Sequence, residues 1–212
     1  MNIKTITVIG ANGTMGKNVS GIFASFGNAK VYMVGRNIED VIDAKQKAIN
    51  SVKSSAIDAN LIPKDYSSLE QCIKESDLIF ESVFEDLEVK RDVYHLISKF
   101  IRPGTIVATG TSGLSINSLG LSFEEEVRKS FLGIHMFNPP YNMTLCEVIP
   151  TEFTDTDLLI DIKKYLTERL KRKVVEVKDQ PAFLGNRIGF QFLNEALQLS
   201  EKYKQRGGID YI

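Results

Sequence analysis

Short runs rich in β-branched residues recur along the chain with helix-patterned segments between them: "ITVIG" at 6–10, "KVYMVG" at 30–35, "DLIFESV" at 77–83 and "TIVATG" at 105–110. Few folds accept that beat. Strands separated by helical segments long enough to cross over argue for a parallel sheet with helices packed on it. The spacing predicts a first helix from about Thr14 to Phe26 and another from about Leu87 to Phe100, which Pro103-Gly104 then stops and turns. Beyond residue 130 the pattern changes. "FLGIHMF" and "TLCEVIP" flank Asn138-Pro139-Pro140-Tyr141-Asn142 and read as adjacent strands that extend the sheet. A helix from about Thr156 to Leu170, a strand "KVVEVK" at 173–178 and a helix from about Ala182 to Tyr203 are expected to follow.

That last helix carries Phe183, Leu184, Ile188, Phe190, Phe192, Leu193, Ala196, Leu197 and Leu199, more apolar residues than the single stripe of a surface helix. Something is expected to cover its other faces, either a second helical domain or a partner subunit. The expected division is a dinucleotide-type α/β domain over 1–180 and the start of an all-α domain over 181–212.

Composition narrows the partners. The chain has 212 residues, 26 basic and 27 acidic, so its net charge of -1 offers no basic field for nucleic acid. Cys72 and Cys146 lie far apart without Cys-x-x-Cys spacing, which suits a reducing compartment, and no metal site is expected. No apolar run approaches the roughly 20 residues of a membrane span, and "MNIKTITVIG" enters a strand pattern directly, so a cytoplasmic protein without a signal peptide is expected.

"VIGANGTMG" sets Gly10, Gly13 and Gly16 between the first strand and the first helix. A bare backbone there lets a pyrophosphate approach, and a helix N-terminus supplies unpaired N–H groups and partial positive charge. Thr14 and Met15 open that helix, and Asn12 reads as a second residue tolerant of a left-handed backbone. The loop is one residue longer than the usual G-x-G-x-x-G. At the end of the second strand, where an Asp or Glu ordinarily bonds the ribose 2'-hydroxyl and selects NAD, the chain has Gly35-Arg36-Asn37. Arg36 could pair bidentately with a 2'-phosphate, which favours NADP; if it stacks on adenine instead, NAD still binds.

Six motifs in order carry a family resemblance over nearly the whole chain: "VIGANGTMG", "SDLIFESVFEDLEVK" at 76–90, "GTSGLSI" at 110–116, "GIHMFNPP" at 133–140, "LCEVI" at 145–149 and "DQPAFLGNRI" at 179–188. The sequence resembles the short-chain L-3-hydroxyacyl-CoA dehydrogenases and the related 3-hydroxybutyryl-CoA dehydrogenases. The resemblance implies a Rossmann-type doubly wound, mostly parallel sheet followed by a helical C-terminal domain through which two copies dimerise. It implies hydride transfer between a nicotinamide cofactor and a 3-hydroxyacyl or 3-oxoacyl substrate, a coenzyme A thioester. His135 is then the general acid/base, Glu147 the carboxylate that fixes its tautomer, and Ser112 and Asn186 the pair that orients the substrate oxygen. Glu85 and Lys90 match positions that approach the cofactor. His95, in "DVYHLI", has no partner signature and reads as structural.

The chain departs from this pattern in three places. The cofactor loop and acidic selector differ as above. Where the family has Ser-Asn-Thr-Ser-Ser the chain reads Thr109-Gly110-Thr111-Ser112-Gly113. The segment from Asn37 to Glu75 is shorter than the family's, enough for one helix, a turn and a short second helix, with Lys45, Lys47 and Lys53 available to phosphates. Two alternatives therefore stand beside the thioester enzyme: a dehydrogenase of a free 3-hydroxy acid, diketone or small polyol, and a dinucleotide-binding module without turnover.

Overall fold

The computed structural model describes residues 2–211. Eight strands make one sheet: β1 (Thr5–Ile9), β2 (Lys30–Gly35), β3 (Leu61–Asp65), β4 (Leu78–Glu81), β5 (Ile106–Thr109), β6 (Phe131–Met136), β7 (Leu145–Pro150) and β8 (Lys173–Glu176). Their order is β3-β2-β1-β4-β5-β6-β7-β8. β1 to β6 pair in parallel, β7 runs antiparallel to β6, and β8 pairs in parallel with β7. Chain order reverses between β1 and β4, which opens a crevice at the carboxyl ends of those strands.

The helices are α1 (Thr14–Ser25), α2 (Ile38–Val52), α3 (Leu69–Glu75), α4 (Leu87–Ser98), α5 (Ile116–Gly120), α6 (Glu125–Arg128), α7 (Thr156–Lys164) and α8 (Gly185–Lys202). The central strands are buried on both faces and so read as continuous apolar runs. Val8, Met33, Phe80 and Ile134 pack with Val19 and Ile22 of α1, Val41 of α2 and Ile162 of α7. Ile79, Val107, Phe131 and Ile149 pack on the other face with Ile73 of α3, Tyr94 of α4 and Leu119 of α5. Side-chain caps start several helices: Asn37 accepts from Glu39 N, and Asp86 from Glu88 N and Val89 N.

The doubly wound sheet matches the expectation, and the structure corrects four details. The stretch between α2 and α3 holds a strand, β3, where only a turn was expected. β3 pairs on one side alone, and Pro63, which cannot donate to a ladder, is tolerated on such an edge. α7 stops at Lys164 and continues to Arg169 as a wider π turn. α8 begins three residues late because Ala182 and Phe183 take left-handed angles (φ 63° and 49°) that no helix accepts. α5 and α6 are too short for periodicity to reveal.

Candidate active site

The crevice is a cleft of about 690 Å³ lined at one end by Asn12, Gly35, Arg36 and Tyr66 and at the other by Ser112, His135 and Met136. Between them lie Gly10, Gly13, Thr14, Met15, Glu85 and Lys90. Gly10 is left-handed, φ +83°, and a Cβ there would lie 2.4 Å from the Ser82 carbonyl oxygen, so only glycine fits. Gly16 lies under the loop, where a Cβ would come 2.2 Å from Gly10 O. Gly13 is the N-cap of α1 and brings no side-chain cap, which leaves the helix's first N–H groups free for an anion. Asn12 is not among the left-handed residues, so its expected backbone role is corrected: the loop turns on Gly10 alone. Bare backbone, open helix terminus and cleft volume together fit a dinucleotide.

At the far end, β6 and β7 pair so that His135 stands opposite Glu147. Both point to the sheet face that carries α3 to α5, as their alternation with the buried Ile134 and Val148 of the opposite face requires. His135 Nδ1 lies 2.7 Å from Glu147 Oε2. The other carboxylate oxygen accepts from Leu184 N at 3.0 Å and Gly185 N at 2.8 Å, at the start of α8. Glu147 is 1% exposed and His135 6%. The Phe137 and Phe183 rings flank the imidazole at 4.6 and 5.7 Å. Asn186 Nδ2 donates to Ser112 O at 3.3 Å, which brings the other expected pair together beside the cleft.

Glu85 and Lys90 both line the cleft and are joined to each other and, through Lys90, to Glu81. Lys90 is buried and its ammonium lies 2.7 Å from Glu81 Oε1 and 3.3 Å from Glu85 Oε2. Glu81, fully buried at the end of β4, also accepts from Val83 N, Tyr94 Oη and Thr109 Oγ1. Glu85 accepts from Thr111 Oγ1, Ser112 N and Ser112 Oγ. Burial pushes the Glu85 carboxyl up, but the Thr111 hydrogen bond, the Lys90 charge and the Ser112 N–H outweigh it and hold the group below its ordinary value. Beside Glu81, burial and that neighbouring charge raise the Tyr94 phenol well above its ordinary value. The loop carrying Ser112 is thus tied through the part-exposed Glu85 to the buried Lys90–Glu81 pair.

Sequence reasoning missed Glu81, which holds Lys90 of the cleft, and Tyr66 and Phe84, which line it. Glu81 was visible as the one carboxylate in the run "LIFES". Tyr66 follows β3 and was hidden with it. Phe84 lines the cleft and is 78% exposed. Lys45 and Lys47 are ion-paired with Asp58 and Asp43, while Lys53 ends α2 in a left-handed turn. His95 is exposed on α4.

Strand order, glycine loop and cleft define a Rossmann-type dinucleotide-binding domain. Residues 5–180 match the family model "3-hydroxyacyl-CoA dehydrogenase, NAD binding domain", and the chain belongs to that family. A probable 3-hydroxyacyl-CoA dehydrogenase of Deinococcus radiodurans is 28% identical over 217 residues, covering 96% of this chain and 61% of that protein. A 3-hydroxybutyryl-CoA dehydrogenase of Clostridioides difficile is 30% identical over 205 residues, covering 91% of this chain and 70% of the relative. Among solved structures, the NAD-dependent 5-formyl-3-hydroxy-2-methylpyridine 4-carboxylic acid 5-dehydrogenase superimposes with a TM-score of 0.83 at 28% identity, over 94% of this chain and 66% of that one. The chain thus spans about three fifths of the Deinococcus relative. No helix among the described residues is long and apolar enough to cross a membrane.

Proposed function

We propose that the chain is the cofactor-binding and catalytic part of an oxidoreductase that moves a hydride between a nicotinamide cofactor and a 3-hydroxyacyl or 3-oxoacyl substrate, in first place a coenzyme A thioester. The observation that carries this is the His135–Glu147 pair at the end of the glycine-lined cleft. Gly10, Gly13 and the open end of α1 would hold the pyrophosphate, and Arg36 the ribose of the adenosine, with its 2'-phosphate. NADP is therefore favoured over NAD. A bound nicotinamide supplies the hydride acceptor for oxidation and the donor for reduction.

The protein's share is proton transfer and positioning. In oxidation the ring nitrogen of His135 not bonded to Glu147 takes the proton of the 3-hydroxyl as the hydride leaves carbon 3; in reduction the proton returns. Glu147 holds the imidazole in one tautomer and stabilises the cation that forms. Ser112 and Asn186 orient the reacting oxygen. The test is turnover of acetoacetyl-CoA with NADH and NADPH: His135→Gln is expected to lower it by about 100-fold or more while dinucleotide still binds. Unchanged turnover would overturn the assignment.

One observation favours a second substrate class. Two of the lysines offered to coenzyme A phosphates are tied up by Asp43 and Asp58, and a structural neighbour is named for a pyridine carboxylic acid. A free 3-hydroxy acid or diketone is the alternative, separated by comparing acetoacetate with acetoacetyl-CoA. Residues 181–212 would begin a helical domain that closes the cleft and pairs two copies, a reading supported by the exposed apolar side chains of α8. Two free, buried cysteines suit the cytoplasm.

A further inference from the structure

Gly35 stands where a selecting carboxylate would, and the space its side chain would need is already taken. A Cβ built there would lie 2.6 Å from Val41 Cγ2 and 3.1 Å from Asn12 Oδ1. Val41 is a fully buried residue of α2 and cannot step aside cheaply. Asn12 belongs to the stretch that makes the glycine loop one residue longer than usual. The longer loop and the missing side chain are therefore two halves of one change: the carboxamide lies over the strand end from which a carboxylate reaches the ribose diol. Asn12, Gly35, Arg36 and Tyr66 line this same end of the cleft. Burial raises the Tyr66 phenol above its ordinary value while the Arg36 charge opposes that rise, as expected of neighbours.

We propose that Asn12 is a specificity-determining residue for the cofactor, its neutral carboxamide replacing the acidic selector and admitting a ribose 2'-phosphate beside Arg36. A carboxylate would repel that phosphate and accept from a 2'-hydroxyl; a carboxamide carries no charge and can donate. The inference rests on the reading of the cleft as a dinucleotide site and deepens it. It also couples two positions: Gly35→Asp would meet both Val41 and Asn12, and deleting Asn12 would relieve only the second of these contacts.

The test uses the full-length protein and two probes, adenosine 2',5'-bisphosphate and 5'-AMP, titrated calorimetrically, with NADPH and NADH alongside. The wild type is expected to bind the bisphosphate about tenfold or more tightly than 5'-AMP, and Asn12→Asp to erase about tenfold of that ratio by like-charge repulsion. Binding of 5'-AMP by Asn12→Asp should stay within about threefold, which reports an intact loop. A wild-type ratio at or below one overturns both the NADP assignment and the role of Asn12. If Arg36→Ala abolishes the ratio but Asn12→Asp and Asn12→Ser leave it unchanged, the cofactor reading stands and the Asn12 proposal falls. Loss of both probes in Asn12→Asp, with Asn12→Ser keeping the wild-type ratio, overturns it equally.

Discussion

Glu147 has both oxygens committed, one to the imidazole of His135 and one to two backbone N–H groups at the start of α8. Glu147→Gln keeps the volume but sets an amide N–H against a donor, so a loss of about 1–3 kcal/mol of stability is expected together with slowed turnover. Urea unfolding beside acetoacetyl-CoA kinetics checks both. Glu81 and Lys90 make a second committed pair, at 1% exposure or less. Lys90→Met strands a buried carboxylate and is expected to cost about 3–5 kcal/mol, whereas Glu81→Gln with Lys90→Met should cost markedly less, as a double-mutant cycle would read. Glu85 supplies a pH dependence. Its folded-state value is depressed, so the unfolded chain takes up the proton first as pH falls. Stability from this group is full above about pH 4.3 and drains away as the pH drops through the folded value, and Glu85→Gln is expected to flatten that slope in urea melts between about pH 3 and 5. His135 and Glu147 were legible in the sequence through the family resemblance, and the turn between their strands explains how residues twelve apart come to face each other. The Glu81 hub was not, because its partners come from α4 and β5, which only the strand order brings together.

Among elements, the glycine loop is the part most sharply constrained. Gly16→Ala puts a methyl 2.2 Å from Gly10 O, so the loop must open, and dinucleotide affinity is expected to fall by about tenfold or more in a fluorescence titration. Unchanged affinity would mean that the loop does not cradle the pyrophosphate. Strands β1, β2, β4 and β5 were readable because burial on both faces writes them as apolar runs. β3 was not: its partly exposed "IPKD" carries a proline and two charges, which a sheet edge accepts and a sequence pattern disguises. The start of α8 was misplaced for a different reason. Phe183 packs its ring 5.7 Å from the imidazole, and that tertiary contact holds Ala182 and Phe183 in angles that local preference disfavours by about 1–2 kcal/mol each.

For the molecule as a whole, α8 is the unfinished part. Ile188, Phe190, Phe192, Leu193 and Leu197 are 55% to 73% exposed, and α8 buries none of its residues. An apolar surface of that kind seeks cover. The 212-residue chain is therefore expected to run above its monomer mass in size exclusion and to return towards it with Phe190→Ser and Phe192→Ser; a monodisperse monomer without those changes would contradict this. The same helix is tied by its first backbone groups to the carboxylate that orients the imidazole. Tilting α8 would tug on that anchor, so the orientation of the His135 imidazole is coupled to the seating of α8. Helix position and imidazole orientation share a single pin here, and its carboxylate is shut away from solvent at 1% exposure.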